Sequence, residues 1–89
     1  MRDITEVWER VKAHESEAFE TKTHLPFTYA VAKNYLTTSR SHQVIGMTDF
    51  ERVLPMVPVK GPGKINMLVR GPAYIWAILH DPRIRGNDW

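Results

Sequence analysis

Between Asp3 and His14, apolar residues recur at Ile4, Val7, Trp8 and Val11, with Glu6, Glu9, Arg10 and Lys12 on the other side. That spacing is the 3.6-residue period of a helix with one buried face. Asp3, followed three residues on by Glu6, supplies a capping oxygen and an acid for the first turn. From Ala18 the period changes to two. Phe19, Thr21 and Thr23 alternate with Ala18, Glu20 and Lys22. Beyond the break at His24-Leu25-Pro26, Phe27, Tyr29 and Val31 alternate with Thr28, Ala30 and Ala32. Lys33-Asn34 makes a tight turn, with asparagine tolerating positive φ. Tyr35 to Ser39 resumes a strand. The pattern predicts a three-stranded antiparallel meander whose bulky Phe27, Tyr29 and Val31 face enters the core.

Residues 39–43 form an irregular polar segment. Thr48-Asp49-Phe50-Glu51 then matches a T-x-x-E capping box and predicts a helix with Phe50, Val53 and Leu54 inward. Pro55 keeps it short. Residues 57–64 are rich in turn formers. Ile65, Met67 and Val69 alternate with Asn66, Leu68 and Arg70, predicting a fourth strand. Gly71-Pro72 opens a helix, because proline is favoured at the first helical position. Residues 73–79 are apolar on nearly every side, so that helix is buried or covered by a partner. Asp81-Pro82 stops it, and the tail 83–89 has so little periodicity that it is expected to be loose. The order α-β-β-β-α-β-α predicts one small α+β domain over 1–89, a mostly antiparallel sheet with helices on one face.

Composition narrows the function classes. The 89 residues contain no cysteine, which excludes disulfide scaffolds and thiolate metal sites. Apolar content of 43% argues against a disordered chain. The longest apolar run, 73–79, falls far short of the roughly 20 residues a membrane span needs. The mixed-charge start is no signal peptide, so cytoplasmic residence is expected. The four histidines, His14, His24, His42 and His80, lack short metal-ligand spacing, and no metal or other cofactor is expected. No G-x-S-x-G elbow is present. Gly61-Pro62-Gly63-Lys64 lacks the spacing and following hydroxyl of a phosphate-binding loop. An enzyme is not expected.

Charge is segregated. Residues 1–20 carry three basic and six acidic side chains, whereas 21–80 carry seven basic and two acidic ones. A basic face of this kind suits a phosphate-rich partner. The densest polar chemistry is Ser39, Arg40, Ser41, His42 and Gln43, side chains that contact phosphates and, for arginine and glutamine, base edges. Such a loop can also bond only its own backbone. Lys22, Lys33, Lys60, Lys64 and Arg70 are the expected phosphate neighbours. The Arg70-Gly71-Pro72 junction offers a helix N-terminus, short of one donor at Pro72.

The strings Pro26-Phe27-Thr28-Tyr29, Thr38-Ser39-Arg40-Ser41, Asp49-Phe50-Glu51 and Arg70-Gly71-Pro72-Ala73-Tyr74-Ile75-Trp76-Ala77-Ile78-Leu79 resemble a pattern in short uncharacterised bacterial proteins. The resemblance spans about 19–84, implies a bacterial or phage setting, and brings no activity or binding residue with it. The residues themselves leave two functions open. One is a small DNA- or RNA-binding protein that uses the basic face and the 39–43 loop. The other is a protein-interaction module, such as an inhibitor, an antitoxin or a self-assembling subunit, that uses the apolar helix with Tyr74 and Trp76 at the interface to a protein partner or, in a homodimer, a second copy.

Overall fold

The computed structural model describes residues 3–89. Asp3 caps α1 (Ile4–Ala13), its carboxylate accepting from the Thr5 amide at 2.8 Å. Val7, Trp8 and Val11 are buried. Trp8 meets Phe50 edge-on at 5.4 Å and donates its indole N–H to the Lys33 carbonyl, fastening the helix to a strand turn.

The expected meander forms as two sheets. β1 (Phe19–Glu20) and β2 (Pro26–Phe27) make a two-stranded antiparallel ladder. β3 (Tyr29–Ala32), β4 (Tyr35–Thr38) and β5 (Val44–Gly46) make a three-stranded antiparallel sheet in that order. The break falls at Thr28, whose N–H donates to Ser39 Oγ and whose carbonyl accepts from the Ser39 amide. Phe27 and Tyr29 are buried, Val31 is half-buried, and Ala30 and Ala32 are exposed. The faces therefore divide as the alternation predicts. In the β3–β4 turn, positive φ falls on Lys33 (56°) and not on Asn34. The carbonyls of both turn residues are held, Lys33 by Trp8 and Asn34 by the Met47 amide, so tertiary bonds decide the turn.

Two further elements differ from expectation. α2 (Met47–Val53) starts directly after β5 with Gly46 at its N-cap, not Thr48. The buried Asp49 carboxylate reaches back to the Gly46 N–H at 3.0 Å, two residues ahead of the T-x-x-E match. As expected, Pro55 limits α2, and a 3-10 turn, Leu54–Met56, follows. The fourth strand over 65–70 does not form. Pro62–Lys64 is a 3-10 turn, and the amides of Ile65 and Leu68 bond the carbonyls three residues back. Local bonds thus satisfy a backbone that three alternating apolar residues alone cannot extend. Ile65 is fully buried while Met67 is 91% exposed.

α3 (Pro72–His80) follows Gly71, which adopts the left-handed conformation (φ 55°). α4 (Pro82–Arg85) is capped by Asp81, which accepts from the Arg83 amide at 2.9 Å. Residues 83–89 are fastened down, contrary to the looseness expected from their lack of period. Ile84 is fully buried, Arg10 donates to its carbonyl at 2.8 Å, and the Trp89 indole donates to the Leu79 carbonyl at 2.7 Å. Single anchors hold this segment, and single anchors leave no periodic trace.

The fold is α+β, with one core cluster shared by all four helices and both sheets. α3 lies within that core. Ile75, Ile78 and Leu79 are fully buried against α4, β1 and the 62–64 turn. Among the described residues no helix is long and apolar enough to cross a membrane.

Candidate nucleic-acid interface

The expected contact residues divide among four places. In the 39–43 loop, Ser39 Oγ accepts from Thr28 and Ser41 Oγ accepts from the Gln43 amide at 3.0 Å. Arg40 Nε donates to the Pro26 carbonyl. Three of the five polar side chains thus bond the chain's own backbone, and His42 and Gln43 are exposed. Lys33 sits at the opposite end of the β3–β4 ladder from this loop. Four paired residues separate them, about 13 Å of strand. Arg70 lines a dent of 330 Å³ with Arg52 and Asp49, beside α2.

Lys22, Lys60 and Lys64 do come together. Lys22 rides on the β1–β2 turn. Buried Thr21 clamps that turn, its amide donating to the Leu25 carbonyl and its hydroxyl accepting from the Leu25 amide at 3.1 Å. From there the Lys22 ammonium donates to the Lys60 carbonyl at 2.8 Å and stands 5.9 Å from the centre of the Trp76 ring. Lys22 passes close over Gly61, where a Cβ would lie 2.8 Å from Lys22 Nζ and shift the flexible side chain. The three lysines line one open depression of 380 Å³ with Gly61, Pro62 and Gly63.

A peg from α3 holds the lysine-bearing loop. Val59 donates its N–H to His80 Nε2 at 3.0 Å, and its carbonyl accepts from the Trp76 indole at 2.9 Å. His80 Nδ1 lies 2.9 Å from the Trp76 carbonyl, and the two rings stack at 4.7 Å. Because Nε2 accepts, the network assigns a neutral imidazole with its proton on Nδ1. Burial pushes the His80 pKa down from its ordinary value, against the raising effect of the Trp76 carbonyl. Sequence reading missed this peg. Its one signal is the four-residue spacing of Trp76 and His80, which puts both on one helix face.

A second, larger groove of 620 Å³ adjoins the lysines, and Lys22 lines both. Its walls mix apolar Phe19, Pro26, Trp76, Ala77 and Pro82 with polar and charged Glu20, Thr21, His24, His80 and Asp81. At its far end Arg83 lies 3.8 Å from the centre of the Phe19 ring and is bound by Asp81, Glu17 and the Ala18 carbonyl. Hydrogen bonding to Asp81, opposed by burial and helped by Glu17, raises the Arg83 pKa. Burial acts to raise the Asp81 pKa, but its hydrogen bonds with Arg83 outweigh that and lower it. This cation is matched by carboxylates, whereas the three lysines have none in contact with them among the described residues.

Tyr74 and Trp76, read as partner-facing, have partners inside the chain. Tyr74 meets Phe27 edge-on at 5.1 Å, and Trp76 is engaged by His80 and Val59. The described residues contain no group of three or more side chains able to hold a metal ion. Compared with protein-family models, with characterised proteins and with solved structures, the chain matches none.

Proposed function

We propose that this protein binds nucleic acid, with Lys22, Lys60 and Lys64 as the phosphate-contacting centre in place of the 39–43 loop. The observation that carries this reading is that Lys22, distant in sequence, joins Lys60 and Lys64 of one turn on one open depression. Unmatched ammonium groups in a concave site concentrate positive potential and draw phosphate oxygens. Arg40 borders the adjoining groove, since its guanidinium donates to the carbonyl of Pro26, which lines that groove. The interaction-module reading has less to support it, because this chain's own core takes up Ile75, Ala77, Ile78 and Leu79 and leaves Tyr74 and Trp76 half-buried.

Titration with labelled oligonucleotides across a salt series tests the reading. Affinity is expected to fall with salt, the log–log slope being about −0.7 per phosphate contact on single strands and −0.9 on duplex. Changing Lys22, Lys60 and Lys64 together to Gln should reduce the slope by about one per lysine lost. Circular dichroism of the variant guards against misfolding. Absence of binding at low salt, or a slope unchanged in the folded triple variant, overturns the proposal.

A further inference from the structure

The lysine depression and the larger groove form one continuous surface, and the two halves have different chemistry. Lys22 is the shared wall. On one side stand Lys60 and Lys64, exposed ammonium groups on a turn. On the other is a 620 Å³ trough with Pro26, Pro82 and the half-buried Trp76 along it, and with Glu20 and Asp81 also in its wall. A volume of this order lies within the range of small-molecule sites, about 300–1,000 Å³. Nothing in a purely phosphate-binding surface calls for a partly apolar trough beside the cations. A B-form duplex keeps its bases stacked inside, so its phosphates can meet the lysines while its bases never reach the trough. A single strand has alternating needs, with charged phosphates on one edge and flat, unstacked bases on the other, and groove binders of such strands pair basic and aromatic side chains in this way.

We infer that the ligand is a single-stranded nucleic acid whose phosphates lie on Lys22, Lys60 and Lys64 and whose bases enter the groove along Trp76. This rests on the nucleic-acid reading above and adds the strand type and the side of the lysines that receives the bases. Lys22 is the hinge of the arrangement. Its ammonium can leave the Lys60 carbonyl for a phosphate and still stand beside the indole, where a base then meets ring and cation together. Arg83 is not a phosphate contact in this scheme. Its guanidinium is already bound by Asp81 and Glu17 and closes the far end of the trough.

The experiment compares three probes on the unaltered protein: a short oligothymidylate, an abasic strand of equal length and charge, and a duplex of equal length. Two-dimensional NMR of the indole N–H signals is recorded alongside. Oligothymidylate is expected to bind about 5- to 150-fold tighter than the abasic strand, the factor for one stacked base. It is also expected to bind tighter than the duplex. The Trp76 indole signal should move with oligothymidylate and not with the abasic strand, while that of Trp8, buried on α1, stays. Equal binding of the thymidylate and abasic strands, lost together in the triple lysine variant, leaves the phosphate reading standing and overturns the base-groove inference. A preference for duplex, or signals that move only over 39–43, overturns it too. Failure of all three probes to bind removes both proposals.

Discussion

The Thr38 hydroxyl is buried in the fold and has no hydrogen-bond partner among the described residues. A buried polar group left unmade costs about 1–3 kcal/mol. Thr38→Val keeps the branched shape and removes the orphan, so it should stabilise the protein by about 1 kcal/mol, a rise in Tm of about 4–8 °C for a domain this size. Thermal melts decide it, and a lower Tm would mean that the hydroxyl is bonded in solution. His80 makes the opposite kind of prediction. Its imidazole must be neutral to accept from Val59, and burial lowers its pKa in the folded state. The unfolded chain takes up the proton at the ordinary value of about 6.5. Stability from this residue is therefore complete above that pH and declines as the pH falls below it, because the unfolded state then binds more protons. Glu17, its pKa lowered by hydrogen bonds from His14 and Arg83, contributes lower down, as the pH falls below 4.5. Denaturant titrations at a series of pH values should resolve the His80 decline, and His80→Gln should flatten it. An equal decline in that variant would refute the assignment.

Elements defined by a period were legible in the sequence, and elements defined by a tertiary bond were not. α1 and α3 follow from apolar spacing, an Asp3 cap and a Gly71-Pro72 start, all local facts. β5 could not be read, since Val44–Gly46 is three residues long and exists by pairing with β4. The 65–70 alternation looked like a strand because pattern alone cannot say whether an edge is there to pair with. The site was half legible for the same reason. Lysine-rich 60–64 and Lys22 were visible as charges, but their meeting depends on the Val59 peg, which joins residues about twenty apart. Gly71 shows how an element boundary is enforced. It sits at φ 55°, and a Cβ would lie 2.5 Å from Ile45 Cδ1, a fully buried side chain. Left-handed backbone costs an ordinary residue about 1–2 kcal/mol, and the clash adds to that. Gly71→Ala is expected to lower the Tm by at least about 4–8 °C. Gly63→Ala, where a Cβ meets nothing within 4 Å, should stay within about 0.5 kcal/mol of the parent. Equal melting temperatures for the two variants would count against the left-handed start of α3.

At the scale of the whole molecule the chain is closed by its last segment. A domain of this length buries only about 60–65% of its unfolded surface, so each buried anchor carries a large share of a small total. Two kinds of contact bring 82–89 back to the N-terminal helix. One is burial: Ile84, on α4, is fully enclosed, and α4 packs on both α1 and α3. The other is charge: Arg10 bonds both Glu6 and Asp88 at the surface, and its pKa is raised chiefly by Asp88. These differ sharply in expected worth. Truncating a buried isoleucine to alanine costs about 2–5 kcal/mol, including the cavity it leaves. An exposed ion pair is worth about 0.2–1 kcal/mol and is screened by salt. Ile84→Ala should therefore lower the Tm by about 10 °C or more, whereas Asp88→Asn should lower it by no more than about 8 °C. Salt should erase most of the Asp88→Asn difference and leave the Ile84→Ala difference intact. Because α3, α4 and the Val59 peg share one core, the Ile84→Ala change should also loosen the lysine loop, visible as faster amide exchange at Val59. A loss confined to Asp88→Asn would mean that the molecule is closed by its surface charges and not by its core.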